Sequence, residues 1–310
     1  MVVGLAAGLS LSIRQRYIDE AFAWLNKIYY DYSARNNLRG AGFSRWAGWG
    51  DHRHPIQFSG DAVANWELLR FEIDLTTTSG NAGCFFWAHD LGGFYGGDDA
   101  ELYTRWTQFG LLNSSLRIHS VYDEKLDRRP WLWGDKEEEA MKRIYHLRSQ
   151  LMPYIYSSVH QCYEDMIPLN RGLYLEYPSD EKAYQCPGEF LFGDLLLGAP
   201  VTMPGEGEQK LVSQEVWLPG GENWYHFFTG KAYQGGRTVT VESPLDEFPL
   251  FVKGGYPLPM QPYTERMCST PLTELMSVVI RAAKDVITLI PYMKMTGLQQ
   301  PISKVNLLLH

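Results

Sequence analysis

His54-Pro55-Ile56-Gln57-Phe58-Ser59-Gly60-Asp61 is the stretch from which the rest of the chain can be read. An apolar, extended run stops at Ser-Gly, and the Ala-Val-Ala-Asn-Trp-Glu-Leu-Leu that follows (residues 62–69) has helical spacing. Asp61 therefore sits at a strand-to-helix junction, the position at which (β/α) barrels carry their chemistry. Taken alone, the same carboxylate serves equally well as the N-cap of the helix.

Working outward, residues 14–35 predict a helix, with Tyr17, Ala21, Trp24, Leu25, Ile28 and Tyr32 at three- and four-residue steps. A short strand is expected over 38–46, with Arg45 near its end. A strand over 54–61 and a helix over 62–78 follow. Residues 84–88 read as a fully apolar strand running into His89-Asp90-Leu91-Gly92-Gly93-Phe94. A helix over 98–111 and a strand over 115–119, ending in Arg117-Ile118-His119, come next. One long helix over 136–164, with Ile144, Leu147, Leu151, Ile155 and Val159 on one face, closes the region. Alternating strands and helices imply a parallel α/β arrangement. Four such units make half of an eight-stranded barrel, and no GxGxxG fingerprint points to a nucleotide-binding sheet instead. A half barrel does not close by itself, so its strand edges are open to pairing.

Past Pro168 the texture changes to short β-rich runs, 173–177, 195–201, 215–218, 224–228, 238–242 and 248–253. Turns such as Pro219-Gly220-Gly221 separate them. This pattern predicts an antiparallel β-sandwich. The expected fold class is thus α/β: the C-terminal half of a (β/α)8 TIM barrel over 14–166, followed by an antiparallel β-sandwich over 167–262.

Composition narrows the function classes. A net charge of −8 argues against a nucleic-acid partner. No apolar run reaches the ~18 residues of a membrane helix. Cys84, Cys162, Cys186 and Cys268 are scattered without CxxC spacing, which predicts neither a zinc site nor a disulfide framework. Aromatic residues make up 14% of the chain, which suits stacking on carbohydrate as well as ordinary cores. Residues 1–13 are apolar but lack a basic start, so they do not read as a signal peptide. Compartment and oligomeric state are not assigned by the sequence.

Arg45, Asp61, Asp90 and His119 all stand at expected strand ends. In the plainest structural reading, Arg45 and Asp90 form an internal ion pair and His119 is a satisfied core histidine. Phe58-Ser59-Gly60-Asp61 with Trp66, however, resembles the acid/base segment of glycoside hydrolase family 31, the α-glucosidase and α-xylosidase family. Ser44-Arg45, Trp87-Ala88-His89-Asp90-Leu91-Gly92-Gly93-Phe94 and Arg117-Ile118-His119 resemble further family segments in the family's order. So do Leu173-Tyr174-Leu175-Glu176-Tyr177-Pro178 and Trp217-Leu218-Pro219 in the β-rich part. The resemblance covers about residues 14–275. It implies retaining hydrolysis of α-linked glucosides or xylosides, in which two carboxyl groups about 5 Å apart serve as nucleophile and acid/base. Asp61 would be the acid/base, and Arg45, Phe58, Asp90, Phe94 and His119 would line the sugar subsite. Phe58 stands where many members carry tryptophan, which leaves the substrate preference open. The implied partner is an oligosaccharide or α-glycoside, with no metal or organic cofactor.

The resemblance also implies a nucleophile on a strand before the helix at 14–35, and none of Asp19, Glu20, Asp31 or Asp51 has that setting. Met1-Val2-Val3-Gly4-Leu5 can be encoded so that a one-base shift reads Trp-Trp-Ser-Asp-Trp, which resembles the family's nucleophile segment. A similar shift across 288–304 reads like the start of the family's distal β-domain. Residues 1–13 and the part of 263–310 beyond about 277 are accordingly expected to be out-of-frame translation. On this reading the chain is a fragment that is inactive as written. The competing reading is a non-catalytic sugar-binding or interaction module derived from such an enzyme.

Overall fold

A computed structural model describes residues 27–28, 30–32, 34–35, 40, 42–43, 51–53, 56–266, 274–279 and 304–309. Arg45, Cys268, residues 1–26 and residues 280–303 lie outside this set, as does most of the strand expected over 38–46.

Strands β1 (Gln57–Phe58), β2 (Trp87–Asp90) and β3 (Ser115–Arg117) form a parallel sheet in that order. Helix α1 (Trp66–Thr78) connects β1 to β2, and α2 (Ala100–Leu111) connects β2 to β3. These are the crossovers that parallel pairing demands. The chain is half of a TIM barrel followed by a β-sandwich-type domain. The strand expected over 54–61 shrinks to two residues, because Ile56 has φ 82° and leaves the ladder just before Gln57. β2 begins later than the apolar run suggests and takes in His89 and Asp90, both fully buried.

The single helix expected over 136–164 is two, α3 (Asp135–Gln150) and α4 (Met152–Asp165), which meet at Leu151. Pro153 falls in the first turn of α4, where its missing N–H breaks no bond; inside a continuous helix it would cost ~3 kcal/mol. The apolar face carries across the junction, with Ile144, Leu147, Leu151 and Ile155 all in one core.

Strands β4 (Asn170–Gly172), β5 (Phe190–Phe192), β6 (Leu196–Gly198), β7 (Val212–Leu218), β8 (Asn223–His226), β9 (Ala232–Gln234), β10 (Arg237–Ser243) and β11 (Leu250–Lys253) build the second half. Six of them form one antiparallel sheet, β4-β5-β6-β11-β8-β9, and β7 and β10 form a separate ribbon. Side-chain alternation gives the sheet two apolar faces. Phe190, Phe192, Leu196, Leu250 and Val252 face the barrel helices, where they share a core with Trp106, Phe109 and Ile144. Leu191, Leu197 and Phe251 face the ribbon, where they meet Val216, Trp217, Leu218 and Val241. Residues 173–177, expected as a strand, instead make one helical turn, α5 (Leu173–Glu176). The turn buries Leu173, brings Glu176 within 3.4 Å of Arg171 and lets the Tyr174 hydroxyl accept from Asn81 of the barrel. Strand β12 (Pro257–Met260) pairs with β13 (Glu274–Val279) rather than with either sandwich sheet, and β14 (Lys304–Leu309) lies parallel to β13.

One buried arginine binds the two halves together, and a second ties α3 to the end of α2 within the barrel half. Arg105 of α2 donates to the carbonyls of Lys210, Ser243, Pro244 and Glu247, and Arg148 of α3 to those of Leu111, Asn113 and Ser114. No described helix is long and apolar enough to cross a membrane.

Candidate active site

Asp61 is not the helix cap. Asn65 holds that place, its side chain accepting from Leu68 N at 2.7 Å. The helix begins four residues later than the sequence pattern suggests, and 61–65 become a loop. That loop is stitched to the next strand end: Phe94 N donates to Ala62 O at 2.7 Å and Ala64 N to Tyr95 O at 2.8 Å. Two glycines make the stitching possible. Gly60 turns the chain with φ 96°, and a Cβ on Gly93 (φ 85°) would lie 2.6 Å from the Ala64 Cα. The Asp61 side chain is left exposed at the C-terminal end of β1.

Asp90 ends β2 directly opposite Arg117 on β3, and the two side chains form an ion pair. Arg117 also lies over the Phe58 ring at 4.5 Å and over Phe43 at 5.1 Å. The Arg45–Asp90 pairing lies outside the described residues; the ion pair they show for Asp90 is with Arg117. The Asp90 side chain is completely buried, and its Oδ2 has no hydrogen-bond partner among the described residues. Burial pushes its carboxyl up to about 7; Arg117 works against this, while the Glu72 and Asp61 carboxylates add to it.

His119 is no core histidine. It is exposed, with its ring 5.3 Å from that of Phe94. Partial desolvation and the Arg117 charge lower its pKa, with Asp61 pulling the other way, so the ring is mostly neutral at pH 7. Beside it in the half barrel, His89 is buried, because alternation along β2 turns it away from Asp90 and into the helices.

Of the six residues expected at the site, Asp90 and His119 each lie close enough to feel the charge of Asp61. Phe94 and Phe58 pack against His119 and Arg117 respectively. Arg45 lies outside the described residues. Sequence reasoning passed over Arg117, although it stands two residues before His119 and opposite Asp90. It also passed over Arg128, whose buried guanidinium braces the loop by donating to the Gly92 and Gly93 carbonyls at 2.8 and 2.7 Å. Among the described residues, no group of three or more His, Cys, Asp or Glu side chains could hold a metal ion. Together these groups supply an accessible carboxylate, a neutral imidazole, and a buried acid with one oxygen still to be satisfied. Such a set suits proton transfer to and hydrogen bonding with a polyhydroxylated ligand.

Comparison with known proteins agrees on both halves. Residues 14–158 match the glycosyl hydrolases family 31 TIM-barrel domain, and residues 166–258 the family's C-terminal domain. An alpha-xylosidase of Saccharolobus solfataricus is 33% identical over 241 residues, 76% of this chain and 32% of that protein. A probable glucan 1,3-alpha-glucosidase of Arabidopsis thaliana is 34% identical over 71% of this chain and 23% of its own length. Among solved structures, a dextranase of Flavobacterium johnsoniae complexed with glucose superposes with a TM-score of 0.76 at 30% identity, covering 84% of this chain and 32% of its own. An alpha-xylosidase of Xanthomonas citri gives 0.75 at 31% identity, covering 83% of this chain and 29% of its own. The chain therefore spans a third or less of the length of these relatives.

Proposed function

The chain belongs to glycoside hydrolase family 31, and from that premise we propose that its strand ends form part of the sugar site of a retaining α-glycosidase acting on α-linked glucosides or xylosides. One observation carries the reading. Asp61, Asp90 and His119 share one electrostatic neighbourhood at the C-terminal ends of parallel strands, where barrel enzymes place their reacting groups. Asp61 is the general acid/base: it protonates the leaving oxygen and later takes a proton from water. His119 and Arg45 hold ring hydroxyls, Asp90 accepts or donates to a hydroxyl through its open oxygen, and Phe94 and Phe58 line the sugar. In fixing the ring they favour the distorted transition state.

The second carboxyl of a retaining pair is not Asp90, which is buried against Arg117 and cannot reach an anomeric carbon from there. The isolated chain is accordingly proposed to bind sugar without forming a glycosyl-enzyme. Incubation with aryl α-glucosides and α-xylosides checks this. No turnover above that of Asp61→Asn is expected, together with glucose or xylose binding by NMR that His119→Ala weakens. Turnover abolished by Asp61→Asn would refute the inactivity, and absence of any sugar binding would refute the site.

A further inference from the structure

Behind the strand ends, turned away from Asp61, lies a polar cluster set among the helices. Glu72 and Thr76 of α1, His89 of β2 and Trp106 of α2 are each at most 2% exposed. Ser59, two residues before Asp61, reaches into the cluster from the end of β1. We propose that Glu72 and His89 form a positioning pair that holds the Ser59–Gly60 turn, and through it Asp61, while setting the charge next to Asp90. Its bearing on catalysis rests on Asp61 being the acid/base, as proposed above; its geometry does not.

The hydrogen bonds leave little freedom. Ser59 Oγ donates to Glu72 Oε1 at 2.7 Å and Trp106 Nε1 donates to Glu72 Oε2 at 3.0 Å, so each carboxylate oxygen receives a proton donor. Ser59 has a single hydroxyl hydrogen and directs it at Glu72, so its oxygen accepts from His89 Nδ1, 2.9 Å away. His89 Nδ1 also faces Glu72 Oε2 at 3.3 Å. The other ring nitrogen, Nε2, lies 2.8 Å from Thr76 Oγ1, which is in turn 2.7 Å from the Glu72 backbone carbonyl. Thr76 too has one hydrogen and two places for it. Pointed at Nε2, it leaves a neutral His89 protonated at Nδ1. Pointed at the carbonyl, it requires Nε2–H, and His89 is then a cation against Glu72. Glu72 and His89 otherwise keep every polar atom satisfied, whereas Asp90 does not.

The groups that act on Asp90 are Arg117 and His89, which favour its ionised form, and Glu72 and Asp61, which oppose it. Neutralising Glu72 removes one opposing charge. In a chain labelled at aspartate carboxyl carbons and histidine nitrogens, Glu72→Gln is expected to lower the Asp90 titration midpoint by about one pH unit. An unmoved midpoint in a folded variant overturns the proposal. Should Glu72→Gln fail to fold, Ser59→Ala removes a single hydroxyl. It is expected to let the His89 Nδ1 proton exchange quickly with water and to weaken glucose binding several-fold, with Ser59→Thr restoring both. A His89 proton that stays protected in Ser59→Ala also overturns it. The readouts separate the two readings. A wild-type chain that binds no glucose but shows the Asp90 shift refutes the sugar site and keeps the pair. Glucose binding with an unmoved Asp90 refutes the pair and keeps the site.

Discussion

The two ends of this molecule use buried charge in opposite ways. At the seam between the half barrel and the sandwich, Arg105 directs its terminal N–H groups at four backbone carbonyls. At the strand ends, Arg117 satisfies one oxygen of Asp90, the other oxygen has no hydrogen-bond partner among the described residues, and Asp61 and His119 stand open to solvent. Buried polar atoms in folded proteins are nearly always paired. Arg105 Nε and Ser243 Oγ at the seam are unpaired as well, so what sets the strand ends apart is that the open atom of Asp90 is an acceptor beside exposed ionisable groups.

The contrast predicts its largest effect at the seam. Arg105→Met removes the donor to four carbonyls that stay buried, and is expected to cost about 4 kcal/mol in chemical denaturation. Arg105→Lys keeps the charge but not the fork, and should recover less than half of that. A cost below about 1 kcal/mol for Arg105→Met would place the two ends on an equal footing and break the comparison.

Next in size is Gly93→Ala. A methyl group there meets the Ala64 backbone from a left-handed conformation, so the loops carrying Asp61 and Phe94 must part. The expected cost is about 3 kcal/mol, with sugar binding lost in parallel. Stability loss with binding intact would show that the stitched loops do not shape the site.

How much of this could be read in the chain follows from the range of each interaction. The half barrel and the sandwich were legible because strand alternation, helical spacing and Pro/Gly turns are local signals. Asp61, Asp90 and His119 were legible because they close local strand patterns. Arg117 was hidden by register: nothing in Arg117-Ile118-His119 says which side chain faces Asp90 until β2 and β3 are paired. The burial of His89 among the helices was hidden in the same way, since one residue along a strand exchanges one face for the other. The break at Leu151 was present in Pro153 but masked by an apolar face that continues through it.

The open oxygen of Asp90 also gives the strand ends a pH dependence that the seam lacks. Its carboxyl lies near 7 in the folded chain and near ~4 in the unfolded one, so the folded state binds the proton more tightly. The cost of burying Asp90 is therefore absent below about pH 4 and grows as pH rises toward 7. Asp90→Asn should match wild type in urea denaturation at pH 4 and exceed it by about 2 kcal/mol at pH 8. Equal stability at both pH values would mean that Arg117 fully compensates the carboxylate.

The finest test divides the first helix turn from the site beside it. Asn65→Ala removes the cap that Leu68 N uses and should cost about 1 kcal/mol. Asp61→Asn, four residues earlier, should change stability by less than about 0.5 kcal/mol, because Asp61 is exposed and the cap of α1 is Asn65. Sugar affinity should respond in the reverse order, weakening in Asp61→Asn and surviving in Asn65→Ala. If Asp61→Asn were the more destabilising of the two, the carboxylate would be acting as a structural anchor. The case for it as the reacting group would then have to rest on resemblance alone.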